Sequence, residues 1–440
     1  MSEQLKGSVA VVGLGYVGLP LAVQAAEKDY QVYGIDLNQE LVDKVNDRVS
    51  PYVNDPRFEK ALGNVPIDRL VAKTTFEDLE SADNIVICVP TPTINNVPDL
   101  SYVLKATRQI GKYVRAGQLV SLESTVNPGV TREEVLPTLE EESGLKVGKD
   151  FYLAHCPERI DPGNPKFFVG NLNRVVGGVT EVCTQRAVNF YDDVIDAKIT
   201  PLGSPEEAEF VKSWENSQRN VMIAMANNAA IICDALGMDI DNVLAGLQSK
   251  VEQFGLSLAT PGIGPGGHCI PEDIHYVIKR ARQKGVDTRF LQDAAELNDR
   301  MPNYAVQSLS EMVRREGEEL GDLRVALLGL AYKPNIADIR RSPSIEVGYE
   351  LTRHAESVIA HDPYLASKSL IKDVIVADKL EDALVGADVV FVGTAHDEYV
   401  ATLTPKLLKK HGVRFVYDGR NCLDQDGLVS AGIHYKGVGR

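Results

Sequence analysis

The chain of 440 residues lacks several features that mark particular classes of protein. It has no apolar run of about 18 residues, the length that a membrane-spanning helix needs, so no membrane span is expected. Its N-terminal segment 1–7 carries no apolar core, and no secretory signal is expected. Its net charge of −16 argues against a nucleic acid or an anionic membrane surface as the partner.

Cysteine and histidine pairs with metal-binding or redox spacing are also missing. The six cysteines stand at positions 88, 156, 183, 233, 269 and 422, and no two of them form a Cys-x-x-Cys pair. There is likewise no His-x-x-x-His pair, so no metal site is expected. Unpaired thiols in a chain of this length are typical of a reducing compartment, which predicts a cytoplasmic protein.

The first part of the chain alternates between strand-like and helix-like segments. Ser8–Val12 and Gln31–Ile35 are predicted strands on either side of a predicted helix over Pro20–Lys28. Asn84–Val89 and Leu119–Glu123 are further apolar runs of strand length. This alternation predicts an α/β domain with a doubly wound parallel sheet.

The middle of the chain changes to a helical pattern. Pro205–Leu236 has few helix breakers and places apolar residues at helical spacing, which predicts one long helix. Asp239–Leu247 and Pro271–Lys284 are predicted to form further helices.

The last part of the chain repeats the pattern of the first. Arg324–Tyr332 matches Ser8–Tyr16 in register at Val, Ala, Gly, Leu and Tyr positions. We therefore predict two Rossmann-like doubly wound domains joined by a helical middle domain that contains one long helix. The predicted boundaries divide the chain into 1–200, 201–302 and 303–440.

A dinucleotide-binding motif follows the first predicted strand. Gly13, Gly15 and Gly18 form a Gly-x-Gly-x-x-Gly pattern that opens a predicted helix, where backbone N–H groups attract a pyrophosphate. Asp36 ends the second predicted strand, where a carboxylate binds a ribose 2′-hydroxyl and repels a 2′-phosphate. The motif predicts binding of NAD rather than NADP. A glycine turn that binds no ligand is the alternative.

The corresponding loop in the last part of the chain departs from this motif. Ala331 and Pro334 stand at the equivalents of Gly15 and Gly18, so a pyrophosphate could not bind in the same way. The basic, turn-rich segment 332–344 that replaces it is suited to phosphate groups. A solvated charged loop is the alternative interpretation.

One cysteine stands in a segment that favours a catalytic thiol. Cys269 follows the glycine-rich segment Pro261–Gly267 and precedes a predicted helix, where the helix dipole favours a thiolate. Asp273, four residues on, lies on the same helical face. A thiol beside NAD could carry an alcohol through aldehyde, thiohemiacetal and thioester to an acid. A structural cysteine is the alternative, and His268 is either a base or a loop histidine.

The long predicted helix carries three polar residues on one face. Lys212, Asn216 and Arg219 stand at positions i, i+4 and i+7. An inward-facing lysine and asparagine would suit an oxyanion. A solvated polar stripe is the alternative.

Taken together, the motifs resemble those of the UDP-glucose/GDP-mannose dehydrogenase family, in the same order and over essentially the whole chain. The matching segments are 9–20, 89–92, 123–129, 156–163, 212–216, 265–271, 330–333 and 338–340.

The resemblance implies three sets of site residues. The catalytic set is Cys269, Lys212, Asn216, Asp273, Glu158 and Thr125. The cofactor-binding set, for NAD, is Gly13, Gly15, Tyr16, Val17, Gly18, Asp36, Thr91, Thr125 and Arg340. The substrate-binding set is Glu158, Arg159, Ile160, Lys212, Asn216, Arg219 and Lys333.

The resemblance also implies roles within the catalytic set. Cys269 would be the nucleophile that forms the thiohemiacetal and the thioester. Lys212, supported by Asn216, would stabilise the oxyanion or relay a proton. Asp273 would support Lys212 and the thiol, or a catalytic water. The two remaining members would organise water and the reacting hydroxyl.

The resemblance assigns a task to each predicted domain. Residues 1–200 would bind NAD, residues 201–302 would carry the cysteine loop and the dimer contact, and residues 303–440 would bind the UDP-sugar. It implies a homodimer built on the long middle helix.

Two segments favour one branch of the family. The Pro-Glu-Arg-Ile-Asp-Pro-Gly and Gly-Gly-His-Cys-Ile-Pro segments look like those of UDP-N-acetylhexosamine 6-dehydrogenases. UDP-glucose enzymes tend to carry Glu where this chain has Pro162, Ser where it has His268 and Phe where it has Ile270. Two departures bear on sugar selection: 250–260 shows no clear match to a basic residue that the family often places there, and Pro334 follows Lys333.

The leading prediction is an NAD-dependent four-electron oxidation of a UDP-N-acetylhexosamine at C6, in polysaccharide or glycan biosynthesis. UDP-glucose 6-dehydrogenase is the alternative within the family. A two-electron hydroxyacid dehydrogenase would need neither Cys269 nor a second Rossmann-like half. A non-catalytic nucleotide-sugar-binding protein would be expected to have lost Cys269 or Lys212, and the chain has both.

Overall fold

The computed structural model describes residues 5–52, 55–94, 97–160, 166, 168–254, 258–365, 370–372 and 374–440. The predicted motif residues 161–163 and the segment 255–257 lie outside the described residues. The chain separates into two compact units. Unit 1 comprises residues 1–215 and 275–284, and unit 2 comprises residues 216–274 and 285–440.

Unit 1 is built on one large sheet and a short antiparallel ribbon. Its sheet strands are β1 (Gly7–Val12), β2 (Tyr30–Ile35), β3 (Leu70–Lys73), β4 (Asn84–Ile87), β7 (Leu119–Leu122), β8 (Tyr152–His155), β9 (Arg174–Gly178) and β10 (Ile199–Leu202), and the ribbon strands are β5 (Thr93–Ile94) and β6 (Val97–Pro98). The sheet order is β10-β9-β8-β7-β4-β1-β2-β3. Among these described strands the sheet pairs are parallel except β8 with β9.

Helices cover both faces of this sheet. They are α1 (Gly18–Glu27), α2 (Gln39–Asn46), α3 (Pro56–Asn64), α4 (Ser101–Tyr113), α5 (Leu136–Ser143) and α6 (Glu181–Val194). Alternate residues of β1 enter two different cores: Val9 and Val11 pack on one face of the sheet, and Ala10 and Val12 on the other. A strand buried on both faces reads as a continuous apolar run, which is why its position could be predicted.

Four helices form the middle of the chain. They are α7 (Pro205–Leu236), α8 (Ile240–Phe254), α9 (Ile270–Gln283) and α10 (Arg289–Arg315). The predicted long helix has the bounds of α7. The predicted domain boundary at 302 lies within α10, which continues through Pro302.

Unit 2 contains a second parallel sheet. Its strands are β11 (Arg324–Leu328), β12 (Ser357–His361), β13 (Ile375–Ala377), β14 (Val389–Val392), β15 (Phe415–Asp418) and β16 (His434–Gly437). Its further helices are α11 (Pro343–His354), α12 (Leu380–Leu384), α13 (Asp397–Thr402), α14 (Pro405–Lys410) and α15 (Gln425–Ser430). The strand order is β13-β12-β11-β14-β15-β16.

The two sheets share one topology. In unit 1 the six strands β3-β2-β1-β4-β7-β8 follow the same 3-2-1-4-5-6 order that the six strands of unit 2 follow. This confirms the predicted fold of two Rossmann-like domains and a helical middle region. In such sheets ligands bind beyond the carboxyl ends of the strands, where the strand order reverses.

Among the described residues, we find no helix that combines the length and the apolar character needed to cross a membrane.

Candidate active site

The glycine loop of unit 1 connects β1 to α1 and is shaped by close backbone contacts. Gly13 has a φ of +95°, and a Cβ there would lie 2.7 Å from the carbonyl oxygen of Cys88. A Cβ on Gly18 would collide with the carbonyl oxygen of Gly13. At Gly15, in contrast, no atom of the described residues lies within 4 Å of a built Cβ. Packing explains the first and last glycines, and the open face at Gly15 fits a pyrophosphate.

Asp36 joins the glycine loop to the end of β2. Its Oδ2 accepts a hydrogen bond from the Leu14 N–H at 2.8 Å, and its Oδ1 accepts one from the Asn38 N–H at 2.9 Å. The carboxylate is half-buried, so it keeps an accessible side. Each carboxylate oxygen has a second lone pair, which leaves Asp36 able to accept from a ribose hydroxyl.

The glycine loop also has an aromatic support. The predicted cofactor residue Tyr16 stacks on Tyr52 with ring centroids 4.7 Å apart, and the Tyr52 hydroxyl donates to the Gly15 carbonyl oxygen at 2.7 Å. Val17 is the residue immediately before α1. These contacts fix the loop from outside the motif, and Tyr52 is a contributor that the motif alone did not indicate.

Thr91 and Thr125 follow the neighbouring strands β4 and β7, and both are half-buried. Between the two loops, the Ser124 hydroxyl donates to the Val89 carbonyl oxygen at 2.7 Å. The Tyr276 hydroxyl lies 3.4 Å from the Thr91 carbonyl oxygen. The loops that carry the two threonines are therefore held at the carboxyl edge of the sheet.

A buried carboxylate on α7 fixes the far end of the Thr125 loop. Glu209 is 1% exposed and accepts from the Gly129 N–H at 2.5 Å and from the Thr131 N–H at 2.8 Å. Burial raises the pKa of Glu209 to about 7, although both hydrogen bonds oppose the rise. Glu209 was not predicted, because its partners lie some 80 residues away in sequence.

Glu158 follows β8 and belongs to a buried ionic cluster. Its Oε1 accepts from the Ile160 N–H at 2.6 Å, and its Oε2 lies 3.5 Å from Nη1 of Arg174. The same Nη1 donates to Glu123 at 3.2 Å. Burial and the neighbouring Glu158 raise the pKa of Glu123 against the pull of Arg174. Arg174, fully buried, thus holds the Glu158 carboxylate in position.

Two other predicted residues of unit 1 lie close to Glu158. The Arg159 guanidinium pairs with Glu215 on α7, with Nε 3.1 Å from Oε2, and also donates to the Asn173 carbonyl oxygen. Arg159 therefore has a protein partner for its charge. Ile160 is half-buried.

The predicted catalytic residue Lys212 lies on α7 and is half-buried.

Cys269 stands immediately before α9 in unit 2. Its carbonyl oxygen accepts from the Asp273 N–H at 2.9 Å, which makes it the residue that begins the helix. The side chain is partly exposed. Asp273 is 4% exposed, and its Oδ2 accepts from Nδ2 of Asn216 at 2.6 Å. The structure brings together these three members of the predicted catalytic set.

Three buried asparagines tie both ends of the cysteine loop to the helices. Asn227 on α7 accepts from the Gly262 N–H at 2.9 Å and donates to Asn298 on α10 at 2.9 Å. Asn298 donates to Oδ1 of Asn220 at 3.0 Å, and Asn220 donates to the Ile270 carbonyl oxygen at 3.1 Å. Residues 262–270 are thus held at both ends by a continuous chain of amides.

Sequence reasoning missed this amide chain. A signal was present, because asparagine is a poor helix former and α7 carries it at 216, 220 and 227, positions of one helical face. Arg219, which was predicted instead, is exposed.

The cysteine loop packs on the loop that replaces the second glycine motif. The Gly267 N–H donates to the Arg340 carbonyl oxygen at 3.0 Å, and a Cβ on Gly266 would lie 2.5 Å from Cβ of Tyr332. The Asp338 carboxylate raises the pKa of the Arg340 guanidinium, and Cys269 contributes in the same direction. Arg340, predicted to contact NAD, therefore lies in the loop on which the cysteine loop packs.

Lys333 lies in the same loop and is half-buried. Within the described part of the chain, no group of His, Cys, Asp and Glu side chains has the arrangement of a metal site.

The sequence matches models of a single family along most of its length. The NAD binding domain of the UDP-glucose/GDP-mannose dehydrogenase family matches residues 7–195, its central domain residues 206–300 and its UDP binding domain residues 326–425.

Individual homologous proteins match over nearly the whole chain. A UDP-N-acetyl-D-mannosamine dehydrogenase of Pyrococcus horikoshii is 33% identical, covering 98% of this chain and 99% of that protein. A UDP-N-acetyl-D-glucosamine 6-dehydrogenase of Pseudomonas aeruginosa is 31% identical, covering 95% and 97%. The crystal structure of an NDP-N-acetyl-D-galactosaminuronic acid dehydrogenase from Methanosarcina mazei superposes with a TM-score of 0.87 at 31% identity, covering 99% of this chain and 95% of that one.

The fold, the glycine loop and these matches define an NAD-dependent nucleotide-sugar dehydrogenase. The chain belongs to the UDP-glucose/GDP-mannose dehydrogenase family. The predicted family resemblance and the predicted cofactor are thereby confirmed.

Proposed function

We propose that the chain oxidises the C6 hydroxymethyl group of a UDP-N-acetylhexosamine to a carboxylate through a covalent Cys269 adduct. The observation that carries the proposal is the placement of Cys269 at the start of α9. There the amide chain anchors its loop, and Asp273 and Asn216 lie in hydrogen-bond contact. A thiol at a helix N-terminus is suited to act as a thiolate nucleophile.

The residues of unit 1 fit NAD. Gly15 leaves room for a pyrophosphate, and Asp36 is placed to accept from a ribose hydroxyl. When bound, NAD supplies the hydride acceptor for both oxidations, so two molecules of NAD are reduced per sugar.

The chemistry of the protein side chains follows from the thiol. Loss of a hydride and a proton from the alcohol gives an aldehyde, and the Cys269 thiolate adds to its carbonyl carbon. Lys212 and Asn216 stabilise the resulting oxyanion. Loss of a second hydride leaves a thioester on Cys269, which water cleaves to the acid and the free thiol.

Glu158 and Thr125 are proposed to order the reacting hydroxyl and the attacking water. Arg174 supports this role for Glu158, because it holds the carboxylate while sharing its charge with Glu123. Asp273 is proposed to keep Asn216 oriented, and their 2.6 Å hydrogen bond supports this.

The preference for a 2-acetamido sugar is inferred from His268 and Ile270 and from the relatives, which are named for three different N-acetylhexosamines. The product would be a nucleotide-linked uronic acid of the kind used in polysaccharide or glycan biosynthesis. The test is NADH formation with UDP-GlcNAc, UDP-GalNAc, UDP-ManNAc and UDP-glucose in parallel. We expect at least one acetamido sugar to give a higher kcat/KM than UDP-glucose, and the reverse order would establish the UDP-glucose alternative.

We further propose a homodimer built on α7. This helix exposes large apolar side chains that a monomer would leave in water, with Met225 68%, Ile232 47% and Leu236 66% exposed. Light scattering should give twice the chain mass for the wild type and one chain mass for a Met225→Glu/Ile232→Glu variant. Val429→Glu, at an exposed valine on α15, serves as the control and should stay dimeric. A monomeric wild type would refute the proposal.

A further inference from the structure

The second Rossmann-like half holds its acidic residue differently from the first. Asp362 follows β12 as Asp36 follows β2. Whereas Asp36 is half-buried, Asp362 is 2% exposed. Its Oδ2 accepts from the N–H groups of Leu330 and Ala331 at 2.8 and 2.9 Å. This carboxylate is therefore enclosed by the protein at the place where its counterpart remains accessible.

A histidine completes the enclosure. Nε2 of His396, which follows β14, lies 3.1 Å from Oδ2 of Asp362, and both side chains are fully buried. The Asn335 N–H donates to Nδ1 of the same ring at 2.9 Å. Because Nδ1 accepts the Asn335 N–H, the ring proton is on Nε2, which donates to Asp362. His396 thus donates to the carboxylate whose counterpart, Asp36, is proposed to accept from a ribose hydroxyl.

The other contact of His396 reaches the predicted substrate loop. Asn335 stands two residues after Lys333, with a φ of +63°. Its side-chain Oδ1 accepts from the Asp397 N–H at 3.1 Å, so the main chain and the side chain of Asn335 are both held by residues 396 and 397. Pro334 between them restricts the backbone further. The position of Lys333 is therefore coupled to His396 through a short, stiff turn.

We propose that His396 is a positioning residue that closes the second half to a dinucleotide and fixes the turn that presents Lys333 to the UDP-sugar. This inference rests on the proposed function and on the predicted place of Lys333 in the substrate-binding set. The same ring does both, because its Nε2 donates to Asp362 and its Nδ1 accepts the Asn335 N–H that anchors the turn.

Two substitutions separate the two nitrogens. Gln at 396 places an amide near the position of Nε2 and keeps the donor to Asp362, but it loses the acceptor for Asn335. Asn at 396 places an oxygen near the position of Nδ1 and keeps the acceptor. Isothermal titration of the full chain with UDP should show His396→Gln weakening affinity about threefold to tenfold, the loss that one neutral hydrogen bond corresponds to. His396→Asn should stay within about twofold of the wild type.

A double-mutant cycle with Lys333→Ala tests the route of the effect. If His396 acts through Lys333, His396→Gln causes no further loss of UDP affinity in the Lys333→Ala background. His354→Gln, at an exposed histidine of α11, is the control and should leave UDP affinity unchanged.

Other outcomes overturn the inference. Equal losses for the Gln and Asn variants would indicate a general structural role, and an undiminished Gln effect without Lys333 would show another route. If Lys333→Ala weakens UDP binding and His396→Gln does not, this inference alone fails. If Lys333→Ala binds UDP as the wild type does, the proposed substrate role of Lys333 fails, and the inference fails with it.

Discussion

The buried carboxylate of Glu209 leads to a prediction about how stability depends on pH. Its pKa is raised from 4.5 to about 7 in the folded chain, so the folded state binds a proton that the unfolded state releases over this interval. Stability from this proton is fully present below about pH 4.5 and is lost as the pH rises through about 7. The difference between the two pKa values corresponds to about 3 kcal/mol of folding free energy.

Glu209→Gln removes the titrating group while keeping the shape of the side chain. The amide places an NH₂ against one of the two backbone N–H groups, so we expect the variant to melt lower at every pH. The wild-type advantage should be greatest near pH 5 and should shrink by about 3 °C by pH 8, at roughly 1 °C per kcal/mol for a chain of this length.

The assay is the thermal unfolding midpoint of both proteins at half-unit pH steps from 5 to 8. Glu134→Gln, at an exposed glutamate close to the same loop, provides the control and should shift the midpoint equally at all pH values. A difference between wild type and Glu209→Gln that stays constant, or that grows with pH, would refute the assignment of the buried titration to Glu209.

Three further predictions concern activity. Asp36→Ala should raise the KM for NAD by about tenfold or more, since it removes a charged acceptor, and an unchanged KM would exclude Asp36 from the ribose site. Asn298→Ala breaks the amide chain, so kcat should fall roughly tenfold to a hundredfold while the KM for NAD stays unchanged. Asn303→Ala, at an exposed asparagine of the same helix, is the control. An unchanged kcat in Asn298→Ala would show that the amide chain does not position the thiol. Cys269→Ala should abolish acid production, and full turnover by this variant would exclude the covalent route.

The sequence was sufficient for β1, β2, β4 and β7 of unit 1 and, through the repeat, for the first strand of unit 2. Val9, Val11 and their neighbours are buried on both faces of the sheet, so a continuous apolar run marks the strand. The long helix could be bounded because Pro205 begins it and Gly237 follows it, as expected for helix termini. The repeat between the two halves was also visible in the sequence. Both first turns require a positive φ, +95° at Gly13 and +89° at Gly329, so glycine stands at the same place in each half.

The helix α10 was harder to predict from the sequence. Pro302 lacks an N–H and crowds the preceding turn, which ordinarily ends or kinks a helix. In the structure Met301, Ala305 and Leu309 on either side of it pack into the core of unit 2, and tertiary burial outweighs the local cost.

The predicted site residues were found by motif, whereas the residues that hold them were not. Glu209, Asn298 and His396 each act on partners that are distant in the chain, 78 and 80 residues away for Glu209 and 61 for His396. Such contacts depend on how the elements pack, and local residue patterns carry no record of them. Asn216 and Asp273 are an instructive contrast, because each stood in its own motif and the fold then joined them.

In the proposed mechanism, one thiol carries an alcohol through two oxidations to an acid. The most direct measurement is the number of NADH molecules formed per molecule of UDP-N-acetylhexosamine consumed, with the sugar product identified by mass spectrometry. We predict two NADH and a uronic acid for each sugar. One NADH with release of the free aldehyde would contradict this mechanism.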